Sequence, residues 1–178
     1  KLHAPNWFIE NQDGGVNPHD EIDDPLKSAE VLQAHVDEGL KFARKNRLPK
    51  PIANFIPEHQ GTLKMGYFLN KAEEKKLNFN ESDFRYKGPI PQSKETAILM
   101  LADGCEAALR AMDINASDSE ALETISKIFY SRQVDGQLND SDLSKGEIFL
   151  IKKSFLNVWK RIRHRRIQYP TTKNNTFS

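Results

Sequence analysis

The stretch 55–63, FIPEHQGTL, decides the reading of this chain. A short apolar run meets Pro57 and then delivers His59, Gln60, Gly61 and Thr62 at what reads as a helix end. Upstream, the first partner in metal chemistry is His35, in QAHVDEGLKFA; downstream it is Asp103, in ILMLADGCEAALRAM. Two histidines and an aspartate, each in a mostly apolar helical stretch, are the residue types from which a metal site across a helical bundle is built. Ligands drawn from separate helices keep no fixed interval, so the compatibility rests on residue type and setting alone.

Working outward, 25–47 carries Leu26, Ala29, Leu32, Val36, Leu40 and Ala43 at three- and four-residue steps behind Pro25, which predicts a helix. His35 adjoins that stripe, where a hydrogen-bonded core histidine is commoner than a ligand. A second short helix is expected from Pro49 to Gly61, bearing Ile52, Phe55 and Ile56, and a third over 63–77 with Met65, Phe68, Leu69 and Ala72 inward. The span 78–92 holds too many Asn, Gly and Pro residues to continue it. Ser93 caps a fourth helix through Met112, with Ile98, Leu101, Ala102, Cys105, Leu109 and Met112 as its buried stripe.

Asp103 lies among these residues, and an ionised carboxylate there needs a partner: Arg110, a neighbouring helix or a cation. Ser117 with Glu120 and Ser144 with Glu147 read as capping boxes that open helices five and six. Between them DGQLNDSDLS, 135–144, has the acid content of a calcium loop without its ordered acid and glycine positions, and that reading is rejected. The sixth helix, 144–166, ends on Lys160, Arg161, Arg163, His164, Arg165 and Arg166. Cations there suit the helix C-terminal dipole; a solvated face ranks first, phosphate binding second and an RNA surface last, since the cluster has no interleaved aromatics. Residues 1–24 read as an ordered loop anchored by Trp7 and Phe8, with NPHD as a turn and His19 exposed in it.

Composition narrows the classes. A chain of 178 residues with 38% hydrophobic and 29% charged side chains is one ordinary globular domain. Its 26 basic and 25 acidic side chains leave a net charge of +1, so nothing global draws it to nucleic acid or anionic lipid. Cys105, the single cysteine, reads as a core residue rather than a nucleophile. No apolar run approaches the roughly 18 residues of a membrane span, no signal peptide is present, and the segment reads as soluble. Phosphate-loop, GxSxG, CxxC and HExxH motifs are absent.

NWFIENQ and NPHD, then SAEVLQAHVDEGLKFA, FIPEHQGT, KGPIPQSKETAILMLADGCEAALRAM, DGQLNDSDL and HRRIQYP, in that order, carry a resemblance. Together they resemble the cytoplasmic HD domain of the seven-transmembrane HD-hydrolase family, the bacterial cyclic di-AMP phosphodiesterases of the PgpH type. The resemblance covers nearly the whole chain. It implies an all-α HD-domain bundle, here residues 1–170 as the C-terminal part of the domain with 171–178 a flexible tail. It further implies a two-metal centre of manganese or iron that hydrolyses cyclic di-AMP to pApA. His35 matches the metal-binding histidine after the family's HD pair, His59 the first histidine of HHGT, and Asp103 the closing aspartate of AD-x-x-EA. Gln60 stands where many members have the second histidine, and an amide is a poor ligand beside imidazole. Lys1 matches the lysine closing HD-x-GK, a candidate phosphate contact, so the HD pair itself is expected upstream of this chain, in a membrane-embedded parent that holds this segment on the cytoplasmic side of the bacterial inner membrane. The fragment alone is then expected to be inactive. A rival expectation is a decayed domain that senses cyclic dinucleotides or binds protein, with Gln60 as the lesion. Monomer and dimer are both compatible with the sequence.

Overall fold

The computed structural model describes residues 18–166. The expectations for Lys1, for Trp7 and Phe8, for the IQYP ending and for the 171–178 tail lie outside those residues.

Pro18 opens α1 (Pro18–Ile22), one turn of helix inside the segment expected to be a loop. Proline suits a first helical turn because its φ is already helical and the missing N–H has no partner to lose. That turn brings His19 inward, 7% exposed, with its ring 5.0 Å from that of Phe68. The exposed turn histidine expected from NPHD is therefore corrected to a buried one, packed as an aromatic.

In α2 (Pro25–Lys45) the Asp24 side chain caps the start by accepting the Lys27 amide at 3.1 Å. The single helix expected over 49–61 is two, α3 (Lys50–Ala53) and α4 (Phe55–Glu58), parted at Asn54. Pro57 has no N–H to give the carbonyl four residues back, at Ala53, and the ladder breaks there. The helix expected over 63–77 is shorter, α5 (Gly66–Glu74), because Lys64 is drawn into an antiparallel bridge with Arg85. Met65, Phe68, Leu69 and Ala72 are buried as expected. The span 78–92 is non-helical except for one 3₁₀ turn, Glu81–Phe84, closed by reciprocal bonds between Asn80 and Asp83.

Three long helices complete the described residues: α6 (Lys94–Arg110), α7 (Asp118–Val134) and α8 (Lys145–Arg166). Ser93 caps α6, and both capping boxes form: Ser117 with Glu120, and Ser144 with Glu147. Apolar burial gathers in two clusters. One joins Ala29 of α2 to Met65, Phe68, Leu69, Ala72 and Phe84. The other joins Leu101 and Cys105 of α6 to Ile125 and Phe129 of α7, with Ile151 and Phe155 of α8 against them. Helix α4 touches both α2 and α6, so the HQGT segment that follows it lies at the seam between the clusters. Among the described residues no helix is long and apolar enough to cross a membrane.

Candidate metal centre

His59 leaves α4 as its C-cap, its amide bonded to the Phe55 carbonyl at 3.2 Å. Gly61 then turns the chain with φ +52° while its amide reaches back to the Pro57 carbonyl at 3.0 Å, an αL helix stop. A side chain at Gly61 has no room: a Cβ there would lie 2.4 Å from Gln137 Oε1 and 2.6 Å from the Met100 methyl. The reversal carries the chain into the bridge, where Met65 N–H donates to the Phe84 carbonyl at 2.7 Å and Tyr86 N–H to the Leu63 carbonyl at 3.1 Å.

This folding brings His35 and His59 together, ring centroids 5.7 Å apart with planes at 65°. His59 Nδ1 lies 2.7 Å from the Ile56 carbonyl and 3.1 Å from that of Phe55; His35 Nδ1 meets the Leu32 carbonyl. A carbonyl only accepts, so each Nδ1 is the donor in these contacts. Metal-binding histidines are commonly oriented in this way, and metal–nitrogen bonds of about 2 Å place two ligating rings in near contact. Both imidazoles are half-buried. The donor set on this side fits a divalent cation.

Asp103 is placed differently from its expectation. It is exposed on α6, not embedded in the stripe, so no desolvation cost has to be met. The buried stripe is Thr96, Ala97, Met100, Leu101 and Cys105, which turns position 103 outward. Arg110 pairs with Glu106 at 3.4 Å and not with Asp103. The negative charge of Asp103 acts instead on the Arg132 guanidinium of α7 and on the phenol of Tyr86. Tyr86 stands edge-on to His35 at 5.9 Å, and burial, aided by Asp103, pushes its phenol above the ordinary tyrosine range, so it stays a neutral donor. Among the described residues no three His, Cys, Asp or Glu side chains converge as a metal cage: the two histidines meet, and Asp103 stands apart on the α6 side. Gln60 is half-buried, its carbonyl accepting the Leu63 amide at 3.1 Å.

Sequence reasoning missed the residues that hold this segment in place. Glu58, 2% exposed, accepts the Gln92 amide at 2.9 Å and the Thr96 hydroxyl at 2.7 Å, tying α4 to the start of α6. Gln137, fully buried in the turn after α7, accepts the Thr62 amide at 3.0 Å and donates to the Thr62 hydroxyl at 2.8 Å and to Asp135 at 2.9 Å. Arg85 donates to the Thr62 carbonyl at 2.9 Å and pairs with Asp135 at 3.3 Å. On the α2 side, Gln33 donates to the Asp83 and Arg85 carbonyls, each at 2.9 Å, and Lys87 pairs with Asp37 at 2.8 Å. The only local signals were a glutamate directly before His59 and a Gly-Gln pair directly after a helix.

At the basic end of α8, Lys160 and Arg163 are engaged within the fold. Lys160 pairs with Asp118, and Arg163 lies over the Trp159 ring at 4.9 Å while donating to the Ile114 and Ala116 carbonyls. An aromatic neighbour is thus present where none was expected, but it serves to dock an arginine at the α6–α7 turn.

No protein-family model matches the chain. An uncharacterised protein of Synechocystis is 47% identical over 175 residues, 96% of this chain and 22% of that protein. The cyclic-di-AMP phosphodiesterase PgpH of Listeria monocytogenes is 36% identical over 174 residues, 98% of this chain and 24% of the relative. The chain thus spans about a quarter of the length of the curated relatives it matches. The crystal structure of the L. monocytogenes PgpH HD domain in complex with cyclic di-AMP superposes with a TM-score of 0.86 at 34% identity, covering 91% of this chain and 75% of that one. The fold is the all-α HD fold expected from the motifs. With one third of its residues identical across three quarters of a solved HD domain, the chain belongs to the HD-domain family of PgpH-type cyclic-di-AMP phosphodiesterases.

Proposed function

We propose that this chain is part of a metal-dependent phosphodiesterase that opens cyclic di-AMP to pApA, and that it supplies His35, His59 and Asp103 to the metal centre. The observation that carries this reading is the paired histidines, each held with Nδ1 on a backbone carbonyl. A pair of divalent cations, manganese or iron, supplies when bound a lowered water pKa and charge neutralisation at the phosphoryl oxygens. The chemistry is a displacement at phosphorus: a water oxygen bonds to phosphorus, the bond to the 3′ oxygen breaks, and that oxygen takes up a proton. His35 and His59 keep their rings oriented throughout, because reorientation would break the Nδ1 bonds. Asp103 adds negative charge on the α6 side, and Tyr86 remains a neutral phenol beside His35. Gln60 presents an amide where a second imidazole would add a further ligand; its oxygen can bind a cation or a water.

The test is release of pApA by the full-length parent protein with manganese, against a chelated control and against His59→Ala. Metal-dependent release that His59→Ala abolishes, with the fold retained, is the expected result. Wild-type-like turnover by His59→Ala would sink the assignment. Cyclic di-AMP binding without release would favour a sensor, and Gln60→His should then raise metal content.

A further inference from the structure

Thr62, three residues beyond His59, is gripped at every polar atom it has. Its amide and hydroxyl are held by Gln137, at 3.0 and 2.8 Å, and its carbonyl by Arg85 at 2.9 Å. Gln137 is fully buried, and its remaining donor is used on Asp135 at 2.9 Å, so the four donor and acceptor groups Gln137 and Thr62 contribute here are mutually matched. Asp135 in turn is paired with Arg85, closing a ring of Thr62, Gln137, Asp135 and Arg85 drawn from three separate segments.

Between this ring and His59 lie Gln60 and Gly61, and Gly61 leaves no space for a side chain. Its αL backbone packs with the Gln137 amide oxygen and the Met100 methyl in the space where a Cβ would stand. The other end of the segment is fixed by the His59 Nδ1 bonds to α4 and by the buried Glu58. The backbone carrying His59 is therefore anchored on both sides, and the downstream anchor is an amide side chain 75 positions away in sequence. An ordinary turn-stabilising bond would satisfy one atom; this one sets the position of a whole residue next to a ligand pair.

We propose that Gln137 is a positioning residue for the metal centre, holding the His59 backbone in ligating register through Thr62. The inference rests on the metal-hydrolase reading above and extends it to a residue that touches neither metal nor substrate. Outer-shell partners of metal-binding histidines typically change metal affinity by about 10–100-fold when removed. Gln137 acts one step further out, through the backbone, and its loss shifts the ligand rather than deleting it.

The experiment compares wild type, Gln137→Met and Ser141→Ala in the full-length parent protein. Ser141 is buried in the same turn region, and its hydroxyl donates to the Leu138 carbonyl at 2.7 Å with no bond to Thr62, so it controls for lost stability. Cobalt(II) is the probe, read by titration and by its visible ligand-field bands, alongside kcat and KM for cyclic di-AMP. Gln137→Met is expected to raise the cobalt Kd by about 10-fold or more, to move the ligand-field bands and to lower kcat with KM changed by less than about twofold. Ser141→Ala is expected to lower the melting temperature and leave the cobalt Kd and bands where they are. A second pair, Thr62→Val alone and combined with Gln137→Met, should show losses that do not add, since both cut the same contact. If Gln137→Met melts early but keeps the wild-type cobalt Kd, bands and kcat, the positioning role is overturned while the hydrolase reading stands. If wild type itself neither binds cobalt nor releases pApA, the hydrolase reading fails and takes this role with it.

Discussion

Glu58 and Thr96 meet in the interior through a 2.7 Å hydrogen bond from the threonine hydroxyl to the carboxylate, and the same carboxylate oxygen accepts the Gln92 amide at 2.9 Å. One buried side chain thus serves two donors at the entrance to α6 while its own residue is the last of α4, one position before His59. Glu58→Ala strands the Gln92 amide and leaves the Thr96 hydroxyl its longer bond to the Ser93 carbonyl at 3.2 Å, and an unsatisfied buried polar group costs about 1–3 kcal/mol. Thermal denaturation should show a lower midpoint, by roughly 2–4 °C per kcal/mol for a domain of this size. Glu58→Gln keeps an accepting oxygen and should lose markedly less; equal losses for the two variants would show that acceptance by the oxygen is not what matters.

Gly61→Ala combines a left-handed backbone with a blocked Cβ position. The conformational cost is about 1–2 kcal/mol and overpacking adds about 1–3 kcal/mol. Denaturant titration should register a loss of that order, and metal affinity should fall with it because one of the two displaced atoms is the Gln137 amide oxygen. Unchanged stability would mean that the turn relaxes freely.

The Glu147 carboxylate is held well below the ordinary range, at about 2, by the Lys94 ammonium and then by the backbone and side chain of Ser144. A depressed folded-state pKa contributes stability that is fully present above the unfolded glutamate value. That contribution is lost as pH falls from the ordinary glutamate range through about 2. Glu147→Gln should therefore flatten the acid limb of the stability profile between those values and change its slope little near neutrality. A midpoint-against-pH series of the two proteins reads this directly; parallel acid limbs would contradict it.

Cys105 is 2% exposed, and burial pushes its thiol up to about 11. It is a neutral thiol at neutral pH, inaccessible in the α6–α7–α8 cluster. Alkylation at pH 8 should be negligible in the native protein and should appear with the unfolding transition in denaturant. Rapid native labelling would show that α8 detaches from the cluster.

What could be read from the sequence was whatever is local. Both capping boxes, the Ser93 cap and the inward set Met65, Phe68, Leu69 and Ala72 follow from spacings of three or four residues, and the structure has them all. The break at Asn54 was missed although Pro57 signalled it, because the apolar spacing continues across the gap. The apolar spacing of α6 puts Asp103 in the core because the stripe it suggests runs about one position out of phase with the buried one. On a helix with apolar residues on several sides, the buried face is decided by what packs on it, here α4, α7 and α8. The approach of His35 to His59 was implied by family motifs rather than by any period. The ring around Thr62 left no pattern at all, since an amide meeting a threonine 75 positions away has no sequence spacing to betray it.

That separation also has a consequence in time. A chain synthesised from its N-terminus at about 5–20 residues per second presents Thr62 roughly 4–15 s before Gln137 exists to grip it. During that interval both histidines are already translated, yet the turn that aims His59 lacks its lock. On the metal-centre reading proposed above, the site is complete only once the turn following α7 has emerged and Gln137 can close on Thr62.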